Sequence, residues 1–164
     1  PCYYNYLPTD KGFYRSPGSK NKPGKDYVFS SPKALWAFGH GLSYTTFEYG
    51  KVTAEGRQMG PDGTITVSVP VKNTGSRAGA EIVQLYVSDL KSSLPRPVKE
   101  LKGFKKVFLQ AGEEQVVEIE IPVRSFAFYD EQTADWKLEN DSYSLHVASS
   151  SKAIQATAKI QVKN

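Results

Sequence analysis

Three pairs of neighbouring carboxylates are the first residues in this sequence whose types could do chemistry. Two carboxyl groups held about 5–5.5 Å apart can hydrolyse a bond, with one acting as nucleophile and the other as acid and then base. All three pairs occur in or beside segments that we predict to be loops, so we interpret them as isolated surface acids. The pairs are Asp130 with Glu131, Glu113 with Glu114, and Glu139 with Asp141.

The sequence supports a nucleophilic site or a metal site no better than it supports a pair of catalytic carboxylates. Ser43 and His40 could belong to a Ser-His-Asp site, but no pattern places an aspartate beside them. The usual zinc sites need several Cys or His side chains, and this chain has only Cys2, His40 and His146. We therefore expect no metal and no cofactor. We place His146 on the outward face of a late strand and expect it to be solvated.

The charge distribution argues against nucleic acid and membrane partners. The 164 residues carry a net charge of +4, but the basic residues are scattered and form no run of the kind found in nucleic-acid patches. No apolar stretch approaches the length of a membrane span, and we expect no signal peptide within these residues. The first residue is Pro1 rather than Met, so we expect the chain to begin within a longer protein or after processing.

The stretch from Ala37 to Phe47, called the hinge below, divides the chain into two unlike parts. The segment before it is dense in Pro and Gly, which rules out a long helix, yet it is rich in Tyr and Phe. We expect those rings to pack on the following domain or on a partner, with short strands at Tyr3 and at 27–29. Gly39 and Gly41 flank His40 and permit a tight turn there.

After Phe47 the apolar residues alternate with a period of two, which predicts strands. One face of the segment 64–72 is uniformly apolar, and Pro70 on the other face suggests an edge position or a bulge. Segment 80–88 is apolar on both faces, as in a central strand. Further strands are predicted at 101–109, with a bulge at Gly103, at 117–121, and as a short pair, 126–130 with 135–138. Two more, at 143–147 and 156–162, complete the set.

About seven short strands at spacings of roughly 8–12 residues, with no convincing helical period, predict an all-β sandwich. We assign residues 47–164 to this sandwich. Residues 1–46 form an irregular, aromatic-rich N-terminal extension. Tyr143 follows a turn and could act as a tyrosine corner, with its hydroxyl bonded to nearby backbone.

Several motifs resemble those of the C-terminal fibronectin type III-like domain of family 3 glycoside hydrolases, the β-glucosidase and β-xylosidase family. The hinge reads Phe38-Gly39-His40-Gly41-Leu42-Ser43-Tyr44-Thr45-Thr46-Phe47, and the segments 71–75, 78–87 and 95–104 match the sandwich. Residues 1–6 look like the end of the preceding α/β domain. The sequence departs from the family's pattern at residues 35–37, where it has Leu-Trp-Ala and the family often has Leu-Tyr-Pro.

The resemblance implies an immunoglobulin-like sandwich cut from a retaining glycosidase. In that family the nucleophile and the acid/base lie upstream of the segment present here, so we carry no catalytic residue over and expect this fragment not to be an enzyme. The resemblance also implies a parent that hydrolyses terminal β-linked sugars, the parent's catalytic domains as partners, and a periplasmic or secreted location.

The aromatic residues leave two interpretations open. Sugars stack on aromatic rings, so Trp36, Tyr44 and Trp136, with Tyr14 and Tyr27, could bind carbohydrate. The alternative is that these rings were buried against the catalytic domains, which would leave an adhesive patch and self-association through residues 1–45. His40 could line the mouth of the parent's substrate pocket, or could serve a structural role by bonding to neighbouring backbone between the glycines.

Three functions therefore compete. The favoured one is a structural accessory domain that packs on and positions the catalytic domains. The others are a carbohydrate-binding module and a free-standing adhesion or interaction sandwich, the last supported by fold analogy alone.

Overall fold

The structure is a computed structural model that describes residues 35–57, 60–89, 91–94 and 96–162. The predicted strands at Tyr3 and 27–29, and the predicted domain tail, lie outside these residues. The described part contains ten strands and one short 3₁₀ helix. They are β1 (Phe47–Tyr49), β2 (Thr53–Arg57), β3 (Thr64–Asn73), β4 (Gly79–Asp89), β5 (Glu100–Leu109), β6 (Glu114–Pro122), the 3₁₀ helix (Val123–Phe126), β7 (Phe128–Asp130), β8 (Asp135–Lys137), β9 (Ser142–Ala148) and β10 (Ile154–Gln161).

Eight of the strands form two antiparallel sheets, and the remaining two form a hairpin. In the first sheet β3 pairs along its length with β6 on one side, and with β1 and β2 in succession on the other. The second sheet has the order β10-β9-β4-β5, so β4 is central as the sequence predicts. Strands β7 and β8 pair only with each other. The all-β sandwich is confirmed.

The core lies between the two sheets and is filled by the predicted alternating residues. Ile65, Val67, Val69 and Val71 of β3 are at most 1% exposed, and they share the core with buried side chains of β6 in the same sheet and of β4 and β9 in the opposite sheet. Burying a side chain of this size stabilises the fold by about 1.5–3 kcal/mol. The side chains that stabilise the sandwich are therefore the alternating apolar residues that the sequence predicts to face inward.

Pro70 lies in a central strand, so of the two alternatives, an edge position or a bulge, the edge position is wrong. The ring is tolerated because the opposite strand is interrupted there, between β1 and β2. The Pro70 carbonyl accepts the Gly50 N–H at 2.8 Å. Because the nitrogen and the carbonyl of one strand residue point the same way, the Pro70 nitrogen faces this interruption, where no ladder bond is lost.

The predicted bulge at Gly103 is confirmed. Leu85 pairs with Gly103 while Tyr86 pairs with Leu101, which leaves one extra residue on β5. A Cβ added at Gly103 would lie 2.7 Å from Cγ2 of Ile119 in the opposite sheet. The absence of a side chain at this position therefore lets the two sheets approach closely.

The described residues contain ten strands where the sequence predicts about seven, and the two that were not predicted individually come from the segment 47–57. The segment 47–57 has weak alternation, and the structure divides it into β1 and β2 at Gly50. The β7–β8 hairpin corresponds to the predicted short pair, 126–130 with 135–138, and lies outside the two larger sheets. Phe126, which we assigned to a strand, lies instead in the 3₁₀ helix, where Val123 and Phe126 are both buried. An i, i+3 apolar pair in so short a segment carries no clear helical signal.

Tyr143 confirms the predicted tyrosine corner. Its ring is 1% exposed and packs on Phe126 with centroids 4.8 Å apart. Its hydroxyl donates to the Glu139 carbonyl at 3.4 Å. Burial raises the pKa of Tyr143 to about 12. Within the described residues, no helix is long and apolar enough to cross a membrane.

Candidate functional site

The hinge lies on the outer face of the second sheet, where Gln84 of β4 holds its first part. The Gln84 amide nitrogen donates to the Gly39 carbonyl at 2.9 Å and to the Ser149 carbonyl at 2.8 Å. The Ser151 N–H donates to the Phe38 carbonyl at 2.9 Å. Gly39 has φ +75°, and an added Cβ would collide with the Gln84 side-chain oxygen. Glycine is therefore required here by both conformation and space.

A buried polar cluster fixes the orientation of Gln84. The Tyr86 hydroxyl donates to the Gln84 amide oxygen at 2.6 Å, and both side chains are at most 5% exposed. The Lys99 ammonium lies 5.9 Å from the centre of the Tyr86 ring and donates to the Ser151 carbonyl. Burial, together with the charge of Lys152, lowers the pKa of Lys99. A satisfied buried amide of this kind holds one geometry.

The second part of the hinge is fixed by Asn73, the last residue of β3. The Thr45 hydroxyl donates to the Asn73 side-chain oxygen at 2.6 Å. The Asn73 amide nitrogen donates to the Leu109 carbonyl at 3.1 Å, which links the hinge to β5. Side chains at Gly75 and Gly79 would run into Thr45. These contacts explain the glycines of the segments 71–75 and 78–87.

Between these two anchors the hinge presents large side chains to solvent. Leu42 is 91% and Tyr44 93% exposed. The exposed Trp36 ring stacks on His40, with centroids 4.8 Å apart and an interplanar angle of 16°. The His40 N–H donates to the Ala37 carbonyl at 3.0 Å. This geometry favours the structural role for His40, and its role at a substrate pocket stays a prediction.

The outer face of the same sheet carries three further exposed apolar side chains. Phe104 is directly opposite Gln84, and Phe108 is opposite Ala80, so both share the outer face with Ile82. Phe104 is 68%, Phe108 61% and Ile82 44% exposed. We call these three residues, with the exposed hinge residues Phe38, Leu42 and Tyr44, the hinge face. Sequence reasoning missed its β5 part, although apolar residues on both faces of 104–109 were the available signal.

Each candidate pair contains a carboxylate that is held by hydrogen bonds, two of them in local turns and one, Glu139, by the β4–β5 connection. Glu113 accepts the Gln110 N–H at 2.6 Å, and Asp130 accepts the Gln132 N–H at 3.0 Å. Glu139 accepts hydrogen bonds from the Ser93 N–H and hydroxyl. Burial raises the pKa of Glu139, but the bonds from Ser93 and the charge of Lys137 outweigh it and lower that pKa. The described residues contain no group of three or more metal-ligating side chains.

His146 lies on the outward face as expected, but the prediction that it is solvated is wrong. It is half-buried between two hydroxyls, Ser88 Oγ at 3.0 Å and Thr157 Oγ1 at 3.2 Å. Burial, with the nearby charge of Lys99, lowers the pKa of His146. Cross-strand neighbours that supply hydroxyls are set by register, which the sequence alone does not show.

Trp136 lies at a different place from the hinge rings, in the β7–β8 hairpin. It meets Tyr129 edge to face, with ring centroids 5.9 Å apart. A cleft of about 290 Å³ opens beside these two rings, between the hairpin and the β4–β5 connection, and Arg96 and Glu100 also line it. The predicted carbohydrate-stacking rings are therefore divided between two regions. Tyr14 and Tyr27 lie outside the described residues.

Comparison with known proteins agrees with this geometry. A family model described as a fibronectin type III-like domain matches residues 81–151. The chain is 47% identical over 130 residues to thermostable β-glucosidase B of Acetivibrio thermocellus, and 41% identical over 132 residues to a periplasmic β-glucosidase of Salmonella typhimurium. These alignments cover 79% and 80% of this chain, but the chain spans only 17% of each relative.

Solved structures give the same picture. A β-glucosidase from Erythrobacter marinus superposes with a TM-score of 0.79 at 37% identity, over 99% of this chain and 20% of that one. A GH3 β-glucosidase from Bifidobacterium adolescentis superposes with a TM-score of 0.72 at 38% identity, over 84% of this chain and 22% of that one.

The two packed antiparallel sheets, the tyrosine corner and the family match define a fibronectin type III-like β-sandwich. The hinge motif and the relatives specify which one. The chain belongs to the fibronectin type III-like domains of family 3 glycoside hydrolases.

Proposed function

We propose that this chain is a non-catalytic accessory domain whose hinge face packs against the catalytic domains of the same polypeptide. The observation that carries the proposal is the outer face of β4 and β5. There Ile82, Phe104 and Phe108 stand exposed beside a hinge whose backbone is held rigidly. Exposed apolar patches of this kind mark interaction sites. The domain division, 1–46 and 47–164, and the interdomain role of residues 38–44 belong to this proposal.

The reaction of the whole protein follows from its relatives. We infer that it hydrolyses terminal β-linked sugars, because the similar proteins are named β-glucosidases and this chain spans only 17% of each of the two relatives compared above. The catalytic carboxylates would then come from the rest of the polypeptide. A periplasmic or secreted location is proposed on the name of the Salmonella relative.

The test uses the whole protein and places a charge on the hinge face. Phe104→Asp and Phe108→Asp should lower the melting temperature of the whole enzyme and reduce its activity, because a buried unpaired charge is costly at an interface. Val116→Asp is the matched control, since Val116 is 55% exposed on the other sheet. Equal effects of all three substitutions, or none from either Phe substitution, would overturn the proposal.

Two finer roles are proposed with it. The isolated chain should self-associate through its exposed hinge residues, which light scattering of the wild type against a Leu42→Ser, Tyr44→Ser double variant would test. A monomer at every concentration would contradict this.

Polysaccharide binding is the second candidate function, favoured by the exposed rings of Trp36, Tyr44 and Trp136. Retention of the chain on insoluble β-glucan is its first test.

A further inference from the structure

The cleft beside the β7–β8 hairpin combines an aromatic wall with a charged floor. Trp136 is 68% and Tyr129 50% exposed, so both rings offer apolar surface to a ligand. Opposite them, Arg96 donates to Asp89 at 3.1 Å, to the Phe126 carbonyl at 2.9 Å and to Glu100 at 3.1 Å. The Arg96 side chain is only 8% exposed. The floor is therefore preorganised rather than mobile.

The charges of the floor cancel. Arg96 is paired with both Asp89 and Glu100, and Lys102 contacts the second oxygen of Glu100 at 2.7 Å. Of the residues that line the cleft only Arg96 and Glu100 are charged, and the salt bridge between them leaves neither charge unpaired. What remains is hydrogen-bonding capacity, because each Glu100 oxygen keeps a lone pair and its side chain is 27% exposed. A ligand that fits must be neutral, with one apolar face and a rim of hydroxyls.

We propose that this cleft binds a terminal glucosyl or xylosyl unit of a neutral β-linked saccharide. A pyranose with all hydroxyls equatorial has C–H groups on both faces, which stack on the indole of Trp136, and hydroxyls around its rim, which reach Glu100. The size of the cleft, about 290 Å³, suits one sugar unit with its neighbour in solvent. This deepens the polysaccharide-binding candidate, and it does not depend on the packing of the hinge face.

The experiment is a titration of the full chain with cellotetraose, followed by tryptophan fluorescence and by saturation-transfer NMR. The chain has two tryptophans, so a Trp36→Phe background leaves Trp136 as the only indole reporter. We expect saturable binding in that background. Trp136→Ala in the wild-type chain should weaken binding by at least about tenfold, and Trp136→Phe by less, because a smaller ring retains part of the stack.

Val116→Ala is the control, because Val116 is 55% exposed and lies on β6 of the other sheet, away from the cleft. It should leave the affinity unchanged. An oligosaccharide of galactose should bind more weakly, since its axial hydroxyl breaks one apolar face. The proposal is overturned if neither method detects cellotetraose binding, if Trp136→Ala binds as wild type does, or if Val116→Ala abolishes binding. These outcomes leave the hinge-face test untouched, because that test measures melting and activity of the whole protein.

Discussion

Replacing Gly39 by Ala tests whether the hinge is held to the sandwich as the hydrogen bonds indicate. Gly39 has φ +75°, and the added methyl group would collide with the Gln84 side-chain oxygen. The left-handed conformation costs an alanine roughly 1–2 kcal/mol. Displacing the Gln84 amide from the Gly39 carbonyl loses a hydrogen bond worth about 1 kcal/mol. The hinge should therefore be loosened by about 2–3 kcal/mol.

The loosening should be local, because the only hinge residue that packs against the core is Phe47, at the far end of the hinge from Gly39. The Ser151 N–H, which donates to the Phe38 carbonyl, is the reporter. Its hydrogen exchange should become roughly 30- to 150-fold faster in Gly39→Ala, the factor that 2–3 kcal/mol implies. Amides in the centre of β3 and β6 should exchange as in the wild type. Two-dimensional NMR on the isolated chain measures both sets.

Gly41→Ala provides the control, since an added Cβ there meets no atom within 4 Å. It should leave the Ser151 amide protected. The reasoning would be refuted if Gly39→Ala and Gly41→Ala had equal effects. It would also be refuted if Gly39→Ala accelerated exchange in β3 as much as at Ser151, because the hinge would then be part of the cooperative core.

Three further predictions concern the stability of the sandwich, measured by urea unfolding. Gly103→Ala should destabilise the fold by about 1–3 kcal/mol, because its Cβ would lie 2.7 Å from Ile119. Burial raises the pKa of the Glu81 carboxyl, and this effect is larger than the lowering caused by the hydrogen bond from the Ile82 N–H. The folded chain therefore keeps the Glu81 proton up to a higher pH than the unfolded chain does. Stability from this group is therefore lost as the pH rises above about 4.5, and Glu81→Gln should stabilise the chain at pH 7 but not at pH 3. Burial and Lys99 lower the pKa of His146, so protonation favours the unfolded chain. The wild type should lose stability as the pH falls below about 6.5, and His146→Gln should reduce that loss.

Each of these has a matched comparison. Gly60→Ala adds a Cβ that meets nothing within 4 Å, so a loss equal to that of Gly103→Ala would remove the argument from sheet spacing. Glu120→Gln changes an exposed carboxylate on β6, and equal stabilisation at pH 7 would show that net charge, not burial, is responsible for the Glu81 effect. An unchanged pH profile in His146→Gln would contradict the assigned burial of the imidazole.

The parts of the fold that could be predicted are those that depend on local alternation. The inward residues of β3, β4 and β6, the bulge at Gly103 and the tyrosine corner all followed from neighbouring residues in the chain. The contact between Gly39 and Gln84 joins residues 45 positions apart, and no local pattern encodes it. The exposed Phe104 and Phe108 were missed for a related reason: β5 is apolar on both faces, and only the observed register assigns these rings to the outside.

The attachment of the hinge also discriminates between the functions that the sequence left open. A free-standing adhesion module needs no particular direction in the chain that precedes it. Here Gln84, Ser151 and Asn73 hold the hinge at two separate points, through a buried amide that must lose a partner if the hinge turns. Buried polar networks of this kind specify one arrangement at a cost in stability. That cost is useful where the direction of the preceding chain must be fixed relative to the sandwich, which is what positioning a catalytic domain requires.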